Sequence, residues 1–282
     1  MDKRKKGKNE RGENDDAFEI KSEWSAEDMA VLDGIKMVKI EGGEFRMGDG
    51  SDTTNSPVMT SVSDFSISDA PITQMQFKTT MGFNVSGFYG DDSPIECVTW
   101  YDAVEFCNVL SQAKGFEKCY FIDKENKDPY NRDIIDWMRW TVRCDFSKNG
   151  FRLPTEAEWE FAALGAGKSK IYKYSGSNDL EEVGWYKENS ENLTRDVRGK
   201  LPNAIGIYDM SGNVREWCWD WNQPFLVGGR DPKGPSWGRR RIVRGGGWHS
   251  LSRTCSIRCR NSLGPYDSGA DTGFRVVRTE CS

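Results

Sequence analysis

The sequence predicts an α+β fold, with helices in the first half of the chain and short strands in the second. Before residue 167, three segments carry the capping signals or the periodicity of helices. After residue 168, Gly, Ser, Asn and Asp interrupt short apolar runs, and no long helical period is present. No repeat or linker divides residues 37–278. We therefore expect one domain over residues 19–282, preceded by a charged, disordered tail over residues 1–18.

Capping signals and apolar periodicity place the three helices. They cover residues 71–82, 98–115 and 152–167. The pairs Thr73 with Gln76 and Thr155 with Glu158 have the spacing of capping boxes, in which side chains and backbone N–H groups bond reciprocally. In the middle segment, apolar residues recur on one helical face. Each segment contains a glycine suited to the left-handed stop of a helix, namely Gly82, Gly115 and Gly165.

Short β-rich runs between Gly-rich turns predict the strands. The run MVKIEGGEFRMG (37–48) indicates two strands around a Gly-Gly turn. The aromatic end of residues 206–221 indicates another strand, as do the runs RIVRGGGW and GFRVVR. Residues 119–150 are charged and aromatic, and we expect them to form an irregular insertion.

Three tryptophans alternate along one predicted strand and therefore share a sheet face: Trp217, Trp219 and Trp221. Large aromatic side chains are usually well buried, which favours core packing. A stacking surface for sugars is the alternative.

Composition argues against some classes of partner and site. The net charge is −5 and the isoelectric point is about 5.3, which argues against a nucleic-acid partner. The eight cysteines contain no CxxC pair and lack the spacing of a small disulfide scaffold. Separate buried or free thiols are therefore preferred over a metal site at Cys255 and Cys259.

Six motifs occur in the order of a known family: GGEFRMG, PIECVTWYDAVEFCNVLS, GFRLPTEAEWEFAA, GIYDMSGNVREW, RGGGW and GFRVVR. Over residues 37–278 the chain resembles the formylglycine-generating-enzyme (sulfatase-modifying factor) family. The resemblance implies a C-type-lectin-like fold with little regular secondary structure.

The same resemblance implies a chemistry that this chain matches poorly. Enzymes of the family oxidise a substrate cysteine with oxygen and with copper held by two cysteines, and a related branch uses iron held by several histidines. Here Ser250 stands at the first cysteine position, Cys255 at the second, and His249 is the only histidine. Because a hydroxyl is a poor ligand for Cu(I), a copper- or iron-dependent oxidase is only the alternative function.

The segment HSLSRTCSIRCRNSLGPYDSGADT (249–272) lacks Lys, Glu, Gln, Met and Trp. No codon of the form NNC encodes those five amino acids, and randomising both adenines of Asn codons (AAC) yields NNC. The chain thus resembles the variable proteins of diversity-generating retroelements, which place adenine-directed variability near the end of a lectin-type fold. The resemblance implies a variable region over about residues 239–275, with Arg240 a weaker candidate. Its ligand-binding positions would be Arg239, His249, Ser250, Leu251, Arg253, Thr254, Cys259, Asn261, Ser262, Leu263, Gly264, Tyr266, Asp267, Gly269, Ala270 and Asp271.

Such side chains on a fixed backbone bind adaptably, as in antibody paratopes. We therefore expect a non-enzymatic binding protein on the cell surface that requires no cofactor. Its partner would be a protein or a cell-surface molecule, and a lipid anchor outside this chain would attach it to the outer membrane. A plain exposed connection is the alternative for residues 249–272.

The motif YDMSGNVREW (208–217) resembles a calcium site of the family. The carboxylates of Asp209 and Glu216 and the carbonyls of Gly212 and Val214 would be the ligands, because Ca²⁺ prefers oxygen. Such an ion would have a structural role. The alternative is that Glu216 pairs with an arginine and that Gly212 only turns the chain.

Overall fold

A computed structural model describes residue 21 and residues 23–50, 55–168 and 170–280; the predicted tail lies outside them. The α+β prediction is confirmed. The helices are α1 (Ala26–Asp33), α2 (Gln74–Met81), α3 (Trp100–Ala113), α4 (Glu156–Ala163) and α5 (Leu180–Val183). The strands are β1 (Met37–Ile40), β2 (Gly43–Met47), β3 (Val58–Val62), β4 (Phe65–Ser68), β5 (Tyr120–Lys127), β6 (Trp140–Cys144), β7 (Phe151–Arg152), β8 (Arg215–Trp221), β9 (Gly229–Arg230), β10 (Arg241–Arg244), β11 (Asn261–Leu263), β12 (Thr272–Gly273) and β13 (Val277–Thr279).

The described strands form three sheets and one hairpin. The first sheet has the order β1-β4-β13-β7 and is antiparallel throughout. The second has the order β11-β10-β8-β12, with β12 parallel to β8. The third has the order β2-β3-β9, and β5 pairs with β6. Strand β10 precedes the segment 249–272, β11 lies within it, and β12 begins at its last residue. The second sheet therefore positions that segment.

The three predicted helices are present, and local signals set their ends. Thr73 and Thr155 cap α2 and α4 through complete capping boxes. Gly82 follows α2 in the left-handed conformation, with φ of 86°. The structure adds α1, which also begins at a complete capping box, formed by Ser25 and Asp28.

The two strands within residues 37–48 are present, but they do not form the expected hairpin. Strand β1 pairs with β4, whereas β2 pairs with β3 in another sheet. The reason lies at Gly42, where an added Cβ would be 2.2 Å from the Val62 carbonyl oxygen. The chain passes directly against β3 at this point and changes sheet.

The prediction of an irregular insertion over residues 119–150 is wrong. These residues contain the antiparallel hairpin β5–β6, with a register shift between Asp123 and Lys127. The charged residues of β5 are mostly exposed, so its sequence lacks an apolar stripe that would indicate a strand.

Three clusters of buried apolar side chains stabilise the described part of the fold, and two of them are large. In one, Phe106 of α3 stacks on Phe77 and meets Phe274 edge to face, with centroids 5.5 and 5.1 Å apart. The second surrounds α4 and contains the fully buried Trp159. Trp217 belongs to the first cluster, which confirms core packing for that tryptophan. Helices in the described part of the chain are too short and too polar to cross a membrane.

Candidate functional site

A double-glycine turn leads from strand β10 into the predicted variable segment. Gly245 and Gly246 have φ of 88° and 73°, in the left-handed region that residues with side chains rarely adopt. A Cβ added to Gly246 would lie 2.7 Å from the sulfur of Cys255. The turn therefore packs directly on that thiol and fixes where the segment begins.

The segment 249–272 has little regular structure, yet distant parts of the chain hold its backbone. It contains one 3-10 turn, Ser252–Cys255, and the short strand β11. Backbone hydrogen bonds of 2.6–3.1 Å join it to five other positions: Lys187 N to Ser250 O, Ile257 N to Lys173 O, Trp100 N to Pro265 O, Cys97 N to Gly269 O, and Arg215 N to Asp271 O. These bonds satisfy backbone groups that a helix or sheet would otherwise pair, and they fix the path of the segment.

Buried ion pairs underlie the segment. Arg244 of β10 donates to Glu156 (2.6 Å) and Glu160 (2.7 Å), which lie one turn apart on α4, and to the Ile257 carbonyl (2.6 Å). Arg260 donates to both oxygens of Glu156 at 2.7 and 2.8 Å. Burial opposes the charge of Arg244, but the two carboxylates outweigh burial and raise its pKa. Burial also opposes ionisation of Glu156, and the two arginines nevertheless hold its pKa below the usual range.

A cavity of about 260 Å³ lies next to this network. It is lined by Arg215, Val243, Arg244, Gly245, Gly246, His249, Ser250, Thr254, Cys259, Asn261 and Asp271. Six of the residues predicted to vary are among them. The structure therefore brings a fixed cationic wall and predicted variable side chains to one cavity.

Asp271 contacts both the fixed arginine side of the cavity wall, at Arg215, and the predicted variable side, at His249. Its side chain is 3% exposed, and Oδ1 accepts from Arg215 at 2.5 Å and from the Thr272 hydroxyl at 3.1 Å. Its Oδ2 lies 3.2 Å from Nδ1 of His249, whose side chain is about half exposed. Sequence reasoning did not single out Arg215, for which the only signal is its place beside Glu216 in the run NVREW.

The profile of the FGE-sulfatase family, described as a sulfatase-modifying factor enzyme 1-like domain, matches residues 25–280. The chain belongs to this family. The chaperone protein LppX of Paenibacillus barcinonensis is 41% identical over 263 residues, covering 86% of this chain and 89% of that protein. The formylglycine-generating enzyme of Streptomyces coelicolor is 31% identical over 165 residues, covering 51% of this chain and 49% of that enzyme.

Among solved structures, Treponema denticola variable protein 1 superimposes with a TM-score of 0.78 at 34% identity. The match covers 86% of this chain and 94% of that protein. These comparisons confirm the predicted family and its C-type-lectin-like fold. Since the relatives include both formylglycine-generating enzymes and a variable protein, family membership alone leaves the activity open.

At the two family cysteine positions the chain presents a hydroxyl and a buried thiol. The hydroxyl of Ser250 accepts from Gly247 N at 2.9 Å and lines the cavity. Cys255 is fully buried, whereas Cys259 is half-buried, and both are free thiols. Burial, with a smaller contribution from Cys259, raises the pKa of Cys255 to about 12. At neutral pH this thiol is therefore protonated, whereas the thiolate is the form that binds metal.

The predicted variable residues differ in exposure. Five are exposed: Arg239, His249, Leu251, Arg253 and Asn261. Nine are half-buried: Ser250, Thr254, Cys259, Ser262, Leu263, Tyr266, Asp267, Gly269 and Ala270. Two are buried, Gly264 and Asp271. A Cβ added to Gly264 would lie 2.8 Å from the Tyr266 ring, so a larger side chain there requires Tyr266 to move.

The residues predicted to bind calcium are engaged with protein groups. Glu216 and Arg275 are both fully buried; Oε2 accepts from Arg275 Nε at 2.6 Å and Oε1 from Nη2 at 2.8 Å. Trp159 Nε1 donates to Oε2 as well, at 2.7 Å. Val214 and Gly212 lie on the intervening turn, where a Cβ at Gly212 would be 2.2 Å from the Trp185 carbonyl oxygen.

Asp209 accepts from Arg198 N at 2.8 Å, and burial raises its pKa to about 6. No group of three or more His, Cys, Asp or Glu side chains in the described part of the chain is placed to hold a metal. With both oxygens of Glu216 bound to Arg275, the set does not fit a calcium site in this arrangement. The geometry matches the alternative of an arginine partner for Glu216.

Proposed function

We propose that this protein binds ligands non-enzymatically through the cavity and the exposed side chains of residues 249–271. One observation carries the proposal. Six predicted variable residues line a single cavity, and the backbone that bears them is bonded to fixed positions elsewhere in the chain. Side chains there can change while the backbone beneath them keeps its course, which is the requirement for diversified recognition.

Adenine-directed diversification by a retroelement, and display on the cell surface through a lipid anchor, complete the proposal. The residue types absent from segment 249–272 support diversification. The likeness to Treponema denticola variable protein 1 over 86% of this chain supports it independently, because that protein is called variable. The partner would be a protein or a cell-surface molecule, and no cofactor is required.

A display library tests the binding role. Four exposed positions (His249, Leu251, Arg253 and Asn261) and the half-buried Tyr266 are replaced by NNC codons, and the library is selected against a panel of surface proteins and glycans. A control library randomises exposed positions outside the segment, at Gln112, Glu117 and Lys118. We expect selected binders with melting temperatures within about 3 °C of the parent, because surface changes alter stability by about ±0.5 kcal/mol each. Equal enrichment from both libraries would contradict a specialised segment.

Sequencing of the surrounding locus tests the origin of the diversity separately. We expect a near-copy of the coding segment for residues 239–278, beside a reverse transcriptase gene, with mismatches confined to adenines. Absence of such a copy would contradict diversification by a retroelement. The binding role would then be decided by the library experiment alone.

A copper measurement tests the oxidase alternative. Competition with a chromogenic Cu(I) chelator under reducing conditions is applied to the wild type and to Cys255→Ser. Because a single buried, protonated thiol is a weak site, we expect no stoichiometric copper and the same curve for both proteins. One copper per chain, lost in Cys255→Ser, would support the oxidase and contradict the binding-only proposal.

A chaperone role is a second candidate, favoured by the 41% identity to LppX. Three apolar side chains of the insertion are 68–89% exposed, namely Ile134, Ile135 and Trp137, and they offer a surface for unfolded chains. Light scattering during the refolding of citrate synthase tests this role. Suppression of aggregation that is lost in Ile134→Ser with Ile135→Ser, but kept in the matched exposed variant Phe121→Ser, would support it; no suppression would remove it.

A further inference from the structure

Arg241 differs from the other buried arginines of the described residues in its partners. Four arginines in the described part of the chain are 0–3% exposed: Arg152, Arg241, Arg244 and Arg275. Three of them bond to carboxylates: Arg152 to Glu158, Arg244 to Glu156 and Glu160, and Arg275 to Glu216. Arg241 has no carboxylate within 4 Å among the described residues, and the more distant Asp128 and Asp220 offset only part of the cost of burying its charge. Because a buried charge is normally paired, this exception calls for a physical explanation.

Aromatic rings and one carbonyl provide the surroundings of Arg241. Its guanidinium carbon lies 3.5 Å from the Trp221 ring centroid and 3.8 Å from that of Trp100. Nη1 donates to the Trp219 carbonyl at 2.6 Å, and Nε has no hydrogen-bond partner. Burial lowers the pKa of Arg241 to about 9, so the group is still charged at neutral pH. Cation–π contact attracts the charge but does not replace an anion that accepts from Nε.

Arg241 lines a cleft of about 490 Å³. This cleft is separate from the cavity of about 260 Å³ that the predicted variable residues line. No residue lines both. The walls of the cleft combine four aromatic residues and three cations: Tyr130, Phe146, Trp219, Trp221, Arg143, Lys233 and Arg241. Asp128 is the only acid among the described residues of the wall, and its Oδ1 lies 3.5 Å from Nη1 of Arg143. Lys233 lies over the Phe146 ring at 4.2 Å and has no carboxylate partner in the described residues.

We propose that this cleft binds a small anion carried on a ring, a cyclic carboxylate, with its charge toward Arg241 and Lys233 and its ring on Trp219 and Tyr130. The three tryptophans predicted to alternate on one strand thereby divide into two roles. Trp217 packs in the core, Trp219 packs against that core and also lines the cleft, and Trp221 lines the cleft. None of the predicted variable positions lines this cleft, so its specificity would stay constant while the other site changes.

Two kinds of ring would meet the description, a sugar acid and an aromatic acid, and titrations of the full chain separate them. The probes are glucuronate and benzoate, with glucose and benzyl alcohol as neutral counterparts, followed by calorimetry and by saturation-transfer NMR. We expect one of the acids to bind with a Kd of roughly 0.1–5 mM, at least about 10-fold more tightly than its neutral counterpart. Glucuronate binding alone would identify a sugar acid, benzoate binding alone an aromatic acid. Absence of binding by both acids, or equal binding of acid and neutral compound, would overturn the proposal.

Variants separate a ligand role for Arg241 from a structural one. Arg241→Gln removes a buried charge that no carboxylate of the described residues pairs, so we expect it to fold with a melting temperature at or above that of the wild type and to lose acid binding at least about 10-fold. Lys233→Ala changes an exposed residue and should weaken binding about 3-fold or more, whereas the exposed control Lys118→Ala should not. If Arg241→Gln does not fold, Lys233→Ala decides the matter alone. Unchanged acid binding in Lys233→Ala, or in a folded Arg241→Gln, would overturn the proposal.

Discussion

Replacing Glu216 by Gln is expected to destabilise the protein by about 3 kcal/mol. Glu216 and Arg275 are both fully buried and share bonds of 2.6 and 2.8 Å. Gln keeps the shape of the side chain but removes its charge, so the guanidinium loses the one carboxylate that pairs with it among the described residues, at a place where water cannot replace it. Breaking a buried pair in this way costs about 3–5 kcal/mol. The carbonyls of Ser68 and Tyr208 still accept from Arg275, at 2.9 and 2.8 Å, which places the loss at the lower end of that range.

Thermal unfolding followed by circular dichroism measures the effect. A loss of about 3 kcal/mol corresponds to a fall in melting temperature of roughly 6 °C or more for a domain of this size. The double replacement Glu216→Leu with Arg275→Met removes both charges and should recover part of that loss. A fall of less than about 1 °C would refute the reasoning. A wild-type protein that EDTA destabilises as much as the substitution does would also refute it, because a bound cation and not Arg275 would then be the partner of Glu216.

Three further predictions follow from individual residues. Burial, reinforced by Glu156, raises the pKa of Asp220 to about 8, so the native state holds a proton that the unfolded state releases near pH 4; this stabilisation is lost as pH rises toward 8. Asp220→Asn should therefore gain on the order of 4 kcal/mol relative to the wild type between pH 5 and 8.5 in urea unfolding, and parallel curves would contradict the assignment. Gly246→Ala should lose about 1–3 kcal/mol in the same assay, because φ is 73° and the new methyl group meets the Cys255 sulfur; an unchanged midpoint would show that the turn relaxes. Cys255 should react with a thiol reagent at pH 8 at least about 10-fold more slowly than the half-buried Cys259, with Cys255→Ser and Cys259→Ser assigning the two rates.

Local signals in the sequence were sufficient to predict α2, α3 and α4. The bonds that begin α2 and α4 join Thr73 to Gln76 and Thr155 to Glu158, residues only three positions apart, so the sequence contains both partners of each bond. The pairing of β1 with β4 joins residues about 30 positions apart, and no local pattern indicates that partner. For the same reason the hairpin β5–β6 was not predicted, since its stability comes from pairing and not from an apolar stripe.

The candidate site was predictable as a segment but not as a geometry. Absent residue types mark residues 249–272 without any structural information. Their convergence with Arg215 and Arg244 on one cavity depends on the second sheet and on α4. The spacing of Glu156 and Glu160, one turn apart in a predicted helix, was an available signal for two acids on one face. The lack of a carboxylate close to Arg241 could not be predicted from the sequence, because it depends on where the fold places the acidic side chains.

The backbone bonds that hold residues 249–272 have a consequence for how this protein can change through time. The conformation of the segment is specified at Lys173, Lys187, Trp100, Cys97 and Arg215, all of which lie outside it. Mutations within the segment therefore leave these five partners unchanged, so its side chains can change with little loss of folding stability. A synthetic peptide of the same 24 residues would lack these hydrogen-bond partners and should therefore be conformationally heterogeneous in solution. Any transfer of this segment to another protein must therefore carry its five external hydrogen-bond partners with it.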